Sequence, residues 1–305
     1  MKRISKNIVV YLLLTIFVSS ISNAQDLEPR AYIKIPIKAT ILITGLIYST
    51  GDVITDATLP LKNLKANVTT TSVAIAHSFS LFGLTAQAFA AIPFCYAKAS
   101  ADVNGQLQTI DRTGTADMRL RISALLLGAP AKTFKDFIKD NKPRTILGTS
   151  LTIQPPTGQY FPDKLINLGT HRWAFKPELA LSQPFGKRWL VDVYTGVWLF
   201  TDNNSFFTGT ALRSQHPIGA LQTHASYTIK PNMWAAFDAT YYVGGNSTVN
   251  GVAKDDRVSN FRMGATVVLP TGKRSGLKFS FSKGVVVARG TDFATFTLGW
   301  TYSWF

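Results

Sequence analysis

The stretch Phe296-Thr-Leu-Gly-Trp-Thr-Tyr-Ser-Trp-Phe305 alternates large apolar residues with small or polar ones. Successive side chains of a β-strand point to opposite faces, so this pattern predicts a strand with one aromatic face and one small, polar face. A strand of a water-soluble protein would turn the aromatic face to a core, and the chain would usually continue beyond it. The stretch instead predicts a strand of a closed sheet in a membrane, with its aromatic face toward lipid.

This strand ends on an aromatic residue, Phe305, which directly follows Trp304 and so departs from the alternation. An amphipathic strand with an aromatic end is similar to the C-terminal sorting signal of bacterial outer-membrane barrels. We therefore expect the barrel-assembly machinery to be a partner that recognises the strand ending in Phe305.

The first 24 residues have the composition of a secretory signal peptide. Lys2, Arg3 and Lys6 form a basic start, residues 8–18 are apolar, and Ser22-Asn-Ala24 places small residues at a cleavage site. The apolar run is too short to span the roughly 30 Å of a bilayer as a helix. The sequence therefore predicts a Sec-type signal peptide at residues 1–24 and an outer-membrane β-barrel at residues 25–305.

The composition also favours a membrane barrel. Charged residues make up 16% of the chain, whereas about 25% is usual for a soluble domain. The net charge of +15 has two interpretations: attraction of anionic solutes, or pairing with anionic headgroups. We favour the second, with outer-membrane lipids and lipopolysaccharide as partners. The scattered basic residues and the lack of a recognition motif argue against a nucleic-acid partner.

The chain carries no motif for a metal or a cofactor. Cys95 is the only cysteine, so neither a disulfide framework nor a thiolate metal site is expected. The four histidines, His77, His171, His216 and His224, are far apart in sequence and form no metal-binding pattern. Glycine-rich phosphate loops and a nucleophile elbow are also missing. The sequence therefore predicts no cofactor.

Alternation predicts twelve strands, and most match the roughly 9–11 residues that a tilted strand needs to cross a bilayer. They are about Lys38–Tyr48, Asn67–Phe79, Thr85–Ala99, Asp117–Leu127, Thr145–Gln154, Arg172–Ser182, Trp189–Phe200, His216–Ile229, Met233–Tyr242, Ser259–Leu269, Leu277–Val287 and Ala294–Phe305. An even strand number is typical of bacterial single-chain barrels. The predicted fold is therefore all-β: a transmembrane, antiparallel, up-and-down barrel.

The predicted connections alternate in length, as expected for short periplasmic turns and long extracellular loops. Short turns rich in Gly, Pro and Asn are expected at Leu81–Leu84, Gln183–Lys187, Lys230–Asn232 and Pro270–Gly276. Longer loops are expected near residues 49–66, 99–116, 155–170, 201–215, 244–258 and 288–293. Residues 128–143 are an exception, because they would form a long periplasmic connection. Within it, residues 132–140 are predicted to form a short amphipathic helix at the membrane surface.

The parity of each strand assigns its charged residues to the inner face, because a charge on the lipid face near the midplane costs about 2–4 kcal/mol. The candidate lumen-lining residues are Arg119, Arg121, Arg172, Lys176, Glu178, Asp192, Trp198, Trp234, Asp238, Arg262 and Lys278. The same face is assigned to Asp117, Tyr194, His216, His224 and Lys230. The mixed charges are compatible with ion-pair ladders that brace the wall or with the lining of a polar pore, and ladders are favoured.

Four segments resemble a known family. They are Asn167-Leu-Gly-Thr-His-Arg-Trp-Ala-Phe-Lys-Pro-Glu178, Gly196-Val-Trp-Leu-Phe-Thr-Asp-Asn203, Asp238-Ala-Thr-Tyr-Tyr242 and Ala116-Asp-Met-Arg-Leu-Arg121. Together they resemble the outer-membrane family described as "Putative MetA-pathway of phenol degradation", over about residues 26–305. The resemblance implies a barrel that helps aromatic or other hydrophobic compounds to cross the outer membrane, and it implies no catalytic residues.

Three functions can be weighed from the residues. A passive channel or transporter is favoured by inward aromatic residues among charges, since ring faces suit ring-shaped solutes. The same rings could simply fill the barrel, and side chains or an inward-folded loop could close it.

The other two functions are a structural or adhesive barrel and a lipid hydrolase. The first would act through outer loops such as Thr201-Asp-Asn-Asn-Ser-Phe-Phe207. The second would need a nucleophile beside its base, but the adjacent His77 and Ser78 are expected on opposite faces. The sequence therefore favours the channel and predicts that the protein is not an enzyme.

Overall fold

The computed structural model describes residues 27–54, 61–103, 105–140, 142–164, 166–207 and 209–305. The predicted signal peptide, residues 1–24, lies outside the described residues and stays a prediction. The described chain forms a closed antiparallel barrel of twelve strand positions, which confirms the predicted fold class.

The barrel itself is built from thirteen strands. One short helix lies in the connection between the fifth and sixth strands. In chain order the elements are β1 (Thr40–Ile54), β2 (Leu61–Leu81), β3 (Leu84–Val103), β4 (Gln106–Thr115), β5 (Arg119–Leu127), α1 (Phe134–Lys139), β6 (Ile146–Gln154), β7 (Ala174–Phe185), β8 (Trp189–Phe200), β9 (Asn203–Phe206), β10 (Ala211–Gln215), β11 (Ile218–Lys230), β12 (Met233–Gly244), β13 (Ser247–Val249), β14 (Val252–Ala253), β15 (Val258–Pro270), β16 (Ser275–Val287) and β17 (Gly290–Trp304). The remaining strands, β9, β10, β13 and β14, form a separate four-stranded sheet.

The barrel closes where β1 pairs with β17, in a register that runs from Thr40 opposite Trp304 to Ile54 opposite Gly290. The short turns lie at the end that holds Thr40 and Trp304, here called the short-turn end. The connections β6–β7, β8–β11 and β12–β15 lie at the other end, here called the long-loop end. By the usual rule for outer-membrane barrels, the short-turn end is periplasmic.

One strand position is shared by β4 and β5, which both pair with β3. Pairing stops between Ala91 and Phe94 of β3, where Pro93 cannot donate a backbone hydrogen bond. The chain leaves the sheet there at residues 116–118, so Asp117, the first residue of the predicted strand Asp117–Leu127, lies outside β5. The two parts together span the wall once, so the strand count stays even.

The first strands are longer than predicted, and the predicted loops at residues 49–66 and 99–116 are wrong for most of their length. β2 has 21 residues and β3 has 20. The alternation continues past the expected membrane edge, with Ala97, Ala99 and Ala101 buried on the inner face. These strands therefore extend the wall beyond the bilayer at the long-loop end.

The outer face is apolar, as the parity predicts. Five large side chains of β17 are exposed by 36–51% on the outer face: Phe296, Leu298, Trp300, Tyr302 and Trp304. This is the face that contacts lipid in a membrane barrel. The rings of Trp300, Tyr302 and Trp304 form a ladder, with centroid distances of 6.1 Å for the first pair and 5.9 Å for the second. Such a row of aromatic residues is typical of a barrel surface near a membrane interface.

No helix among the described residues is long and apolar enough to cross a membrane.

The predicted helix in the 128–143 connection is confirmed as α1, although it is shorter than expected. Thr133 is its N-cap and accepts a hydrogen bond from the Asp136 backbone N–H. The Phe134 ring stacks on the Phe305 ring at a centroid distance of 4.6 Å. The helix therefore lies beside the end of β17, at the short-turn end of the barrel.

Ionic contacts hold the connection that contains α1. Lys132 Nζ donates to Asp140 Oδ2 at 2.8 Å, and Arg144 Nη2 donates to Asp140 Oδ1 at 3.3 Å. The hydrogen bond from Lys132, together with the positive charges of Lys34 and Arg144, holds the pKa of the Asp140 carboxyl below its usual value.

Candidate functional site in the barrel interior

The interior of the barrel has two walls of different chemistry. The wall formed by β5–β8, β11 and β12, here called the charged wall, carries charged and aromatic side chains inward. The wall formed by β16, β17 and β1–β3, here called the small-residue wall, carries mainly Ser, Thr, Ala and Gly inward. Arg262 on β15 lies between the two walls and donates to Ser282 Oγ and to the Phe293 carbonyl.

The charged wall contains a buried polar row across three neighbouring strands. In the register, His224 on β11 lies opposite Asp192 on β8 and opposite Asp238 on β12. His224 Nδ1 is 2.7 Å from Asp238 Oδ1, and Thr266 Oγ1 donates to Asp238 Oδ2 at 2.8 Å. All four side chains are buried, so they depend on partners inside the barrel. Cross-strand pairing of this kind is what the ladder interpretation predicts.

A second pair on the charged wall lies within one strand. Lys176 and Glu178 of β7 share the inner face, and Lys176 Nζ donates to Glu178 Oε2 at 2.7 Å. Lys176 Nζ also lies 5.5 Å from the centroid of the Trp198 ring. The wall therefore carries charge of both signs next to aromatic surface.

The lumen is occupied by the chain itself. Residues 27–39, here called the N-terminal segment, run inside the barrel up to the first residue of β1. At the short-turn end, the Ile37 N–H donates to the Lys132 carbonyl and the Lys38 N–H to the Ser78 carbonyl. No sequence pattern predicted that this segment would lie inside the barrel.

Tyr32 fixes the N-terminal segment to the charged wall. Its hydroxyl donates to Glu178 Oε1 at 2.8 Å and lies 2.7 Å from Ser150 Oγ. The Tyr32 ring packs edge-on against the Tyr194 ring at 5.0 Å. A Cβ at Gly148 would lie 2.5 Å from the Tyr32 ring, so only glycine leaves room for this ring. Tyr32 is 1% exposed and is the deepest anchor of the segment.

Arg30 is the second anchor and uses four wall residues. Its backbone N–H donates to Asp192 Oδ2 at 3.0 Å, and its guanidinium donates to Ser226 Oγ and Thr228 Oγ1, each at 2.8 Å. The guanidinium also lies 4.7 Å from the centroid of the Trp234 ring. Arg30 has a positive φ of 62°, a conformation that costs about 1–2 kcal/mol for a residue other than glycine. These contacts offset that strain.

Glu28 is the third anchor and meets the arginines of β5. Arg121 Nη1 donates to Glu28 Oε2, and Arg119 Nη1 lies 3.9 Å from Glu28 Oε1. Across the lumen, Lys278 Nζ donates to the Leu27 carbonyl at 2.9 Å. The segment therefore reaches from the charged wall to Lys278 on the small-residue wall, which parity had assigned to the inner face.

At the long-loop end, the connection between β6 and β7 folds over the lumen. Ile166 and Leu168 of this connection pack into an apolar cluster with inward residues of β1–β3 and with Phe293. Asp117 Oδ1 accepts from the Gly158 N–H and Asp117 Oδ2 from the Thr170 N–H, each at 2.8 Å. These contacts close this side of the barrel.

Arg172 also lies at the long-loop end. It precedes β7, contrary to the predicted strand, and its guanidinium packs 4.2 Å from the centroid of the Phe200 ring. Arg172 Nη2 donates to Gln215 Oε1 of β10. Arg172 therefore joins the barrel to the second sheet.

A cavity of about 280 Å³ lies between these two closures, against the small-residue wall. Its apolar lining includes Ile43, Ile47, Phe89 and Phe293. Its polar lining includes Ser49, Thr70, Ser72, Ser280, Thr295, Thr297, Glu28, Asp117, Arg119 and Lys278. An apolar cavity of about 150 Å³ is known to accept benzene, so this volume is sufficient for one aromatic ring with a small substituent.

The structure places ten of the eleven predicted lumen-lining residues on the inner face of barrel strands and Arg172 at the long-loop end. Only Arg119 and Lys278 of this set border the cavity. Arg121, Glu178, Asp192 and Trp234 contact the N-terminal segment instead. That any of these residues lines the path of a solute stays a prediction.

Two further parity assignments are wrong. His216 precedes β11 and Lys230 ends it, and both are exposed at the ends of the barrel. His216 lies before the first paired residue of β11, and the register of β11 with β12 shifts between Thr228 and Lys230, so parity cannot orient either side chain. His77 is exposed on the outer face while Ser78 is buried inside, which agrees with the opposite faces expected for this pair.

Within the described ranges, no group of three or more His, Cys, Asp or Glu side chains is placed to hold a metal ion.

Solved structures with a similar fold are outer-membrane barrels. The COG4313 outer membrane channel from Pseudomonas putida F1 is 22% identical, with a TM-score of 0.79 over 92% of this chain and 100% of that chain. The transport unit of the autotransporter AIDA-I from Escherichia coli is 8% identical, with a TM-score of 0.54 over 93% of this chain and 95% of that one. These similarities show the fold. A comparison with curated protein sequences found no match.

The sequence itself matches a family model over residues 49–302, which covers all the barrel strands except the start of β1 and the end of β17. The match includes both walls of the lumen but not the N-terminal segment. The resemblance inferred from four short segments is thereby confirmed. The chain belongs to the family described as "Putative MetA-pathway of phenol degradation".

Proposed function

We propose that the protein is a passive outer-membrane channel for small, largely hydrophobic molecules, and that the N-terminal segment closes it in the conformation described. The observation that carries this proposal is the cavity of about 280 Å³ enclosed in a barrel between the N-terminal segment and the long-loop end. A barrel that served only as a scaffold would not need an internal space large enough for a ring.

The lining of the cavity supports the solute class. Phe89 and Phe293 offer aromatic surface, and the hydroxyls of the small-residue wall offer hydrogen-bonding partners without a fixed charge. The barrel carries no nucleotide motif in its sequence, so we propose downhill passage. The family description, which names phenol degradation, supports an aromatic solute, and the similar structure from Pseudomonas putida, described as an outer membrane channel, supports the channel function.

Opening requires the N-terminal segment to leave the charged wall. Its anchors are hydrogen bonds and ion pairs together with the packing of the Tyr32 ring in a small apolar cluster. Water that enters the lumen can replace the hydrogen bonds to uncharged partners, such as Ser226 and Thr228, at a small net free energy. We therefore propose that the segment detaches while the barrel stays folded.

The outer surface contacts lipid, and we propose lipopolysaccharide and phospholipid as its partners there. The aromatic ladder on β17 is also the surface that we propose the barrel-assembly machinery recognises. A catalytic function is not part of the proposal, since His77 and Ser78 lie on opposite faces. The adhesive alternative would depend on the second sheet at the long-loop end, where no observation identifies a partner.

Uptake of labelled benzyl alcohol by porin-deficient bacteria tests the channel. Cells that express the protein should take up the alcohol several times faster than cells with an empty vector. A variant with Glu28→Ala, Arg30→Ala and Tyr32→Ala should be faster still, because its segment has lost its anchors. Equal uptake by all three strains, with folded barrel verified in the outer membrane, would contradict the proposal.

A further inference from the structure

The structure places one carboxylate of the chain itself in a basic pocket that borders the internal cavity. We infer that Arg119, Arg121 and the adjoining cavity form a binding site for small apolar carboxylates, such as an aromatic acid, and that the Glu28 side chain occupies this site in the closed conformation. This inference rests on the proposed channel function and names a class of solute for it.

The donor set suits a carboxylate. Arg121 Nη1 donates to Glu28 Oε2, and Arg119 Nη1 lies 3.9 Å from the other carboxylate oxygen. Guanidinium groups present several N–H donors in a plane, which matches the two oxygens of a carboxylate. The Nε of Arg121 is buried and has no hydrogen-bond partner among the described residues. The carboxylate of a small ligand could therefore accept a hydrogen bond from Arg121 Nε, which Glu28 does not.

The space for the rest of such a molecule lies directly beside these donors. Glu28, Arg119 and Lys278 all border the cavity, together with Phe89 and Phe293. The Arg121 guanidinium lies 5.7 Å from the centroid of the Phe89 ring. A benzoate-sized acid could place its carboxylate at the arginines and its ring between the two phenylalanines.

The charge balance explains why an acid would compete with Glu28. β5 carries two arginines on its inner face, two residues apart, and the strands beside it offer no acidic side chain at the paired positions, which are Phe89, Ala91 and Thr152. When the N-terminal segment leaves, these two partly buried charges lose the Glu28 carboxylate. Separating a partly buried charge from an ion-pair partner is unfavourable. An incoming carboxylate restores the pairing, whereas a neutral alcohol does not.

Binding of an acid should therefore favour the conformation in which the segment is released. A ligand shifts a conformational equilibrium by the difference in its affinity for the two states. An apolar carboxylate has that difference, because its site is free only when Glu28 has moved away.

Calorimetric titration of the purified protein in detergent with benzoate and with benzyl alcohol tests the site. Glu28→Gln should bind benzoate about tenfold more tightly than the unmodified protein, because the internal competitor is gone. Its affinity for benzyl alcohol should change less than twofold. Asp163→Asn is the matched control, since Asp163 is exposed and pairs with Lys164 outside the lumen. It should change neither affinity.

The arginines are tested in the Glu28→Gln background. Arg121→Gln should weaken benzoate binding at least tenfold and leave benzyl alcohol binding unchanged. Arg121→Lys keeps the charge and should recover part of the benzoate affinity, which guards against a general loss of fold. Arg188→Gln, at the short-turn end beside Tyr227, is the control for loss of a positive charge.

The outcomes separate this site from the channel itself. Equal benzoate affinity in the unmodified protein and in Glu28→Gln, or benzoate binding unaffected by Arg121→Gln, would overturn the carboxylate site. If benzyl alcohol uptake in cells still rises, the channel function survives that result. Absence of any uptake would instead overturn the channel function, whatever the calorimetry shows.

Discussion

The two inner walls of this barrel differ in how many of their inward side chains already have partners within the protein. Inward side chains of the charged wall mostly have partners, either in the wall, as in His224 with Asp238, or in the N-terminal segment, as in Glu178 with Tyr32. The small-residue wall borders the cavity with short side chains such as Thr297 and Ser280. The charged wall therefore holds the closing segment, and the internal cavity lies along the small-residue wall.

Physical chemistry explains this division. A buried charge must be paired, so a wall rich in charges will attract a polar peptide or a charged ligand. A wall of Ser, Thr, Ala and Gly carries no charge that needs a partner, and its side chains occupy little volume. The N-terminal segment therefore lies against the charged wall, and the cavity remains on the other side.

The largest contrast between the walls should appear in stability. Asp238→Ala removes the partner of His224 and Thr266 inside the charged wall, and should lower the free energy of unfolding by about 3 kcal/mol. Thr297→Ala on the small-residue wall should lower it by less than about 0.5 kcal/mol. Urea unfolding, followed by loss of heat-modifiable migration on SDS gels, measures both. Similar losses for the two variants would remove the contrast.

The next effect tests the two faces of one strand on the small-residue wall. Leu298→Arg places a charge on the lipid face, at a cost of about 2–4 kcal/mol, and should sharply reduce the yield of folded barrel. Thr297→Arg points into the cavity, which the Glu28 and Asp117 carboxylates also border, and should fold much better than Leu298→Arg. The folded fraction after refolding into detergent or lipid gives the answer. Equal tolerance of both arginines would show that the face assignment of β17 is wrong.

A smaller change should open the channel without removing a charge. Gly148→Ala would press a methyl group against the Tyr32 ring, and overpacking of this kind costs about 1–3 kcal/mol. The segment should then detach more often and raise the time-averaged conductance about tenfold. Gly299→Ala is the control on the other wall, where an added Cβ meets nothing closer than 3.7 Å. Equal conductance of the two variants would argue that Tyr32 does not hold the closure.

The smallest effect concerns the connection that contains α1. The pKa of Asp140 is lowered in the folded protein, so its stabilising effect exists above the usual carboxyl pKa and is lost as the pH falls through the lowered value. Asp140→Asn should therefore lower the melting temperature slightly at pH 7 and by less at pH 2. A loss of the same size at both pH values would rule out the ionised carboxylate as the cause.

Alternation of side chains was sufficient to predict the barrel, because lipid outside and polar surface inside act on every strand. It predicted Trp189–Phe200 to the residue. It underestimated β1–β4, where the same alternation continues beyond the bilayer to bury alanines under the loop that covers the long-loop end. Parity assigned most inward side chains but not the residues outside the paired strands, such as Arg172 and His216.

The position of the N-terminal segment could not be predicted from its own sequence, because the alternation of Ile33, Ile35 and Ile37 with polar residues and Pro36 favours a strand, whereas β1 begins only at Thr40. Its partners Ser150, Glu178 and Asp192 are more than a hundred residues away. One signal was present: Arg119 and Arg121 share an inner face that offers no acidic side chain on the paired strands. An acid from elsewhere in the chain was therefore to be expected there, and Glu28 is that acid.

Planar-bilayer conductance tests the central claim, that the N-terminal segment, rather than the connection over the long-loop end, controls the opening of the lumen. The unmodified protein should be closed most of the time, with rare brief steps. The variant with Glu28→Ala, Arg30→Ala and Tyr32→Ala should show steady open steps and a time-averaged conductance at least about tenfold higher. The same time-averaged conductance for both proteins, each verified as folded, would contradict the account.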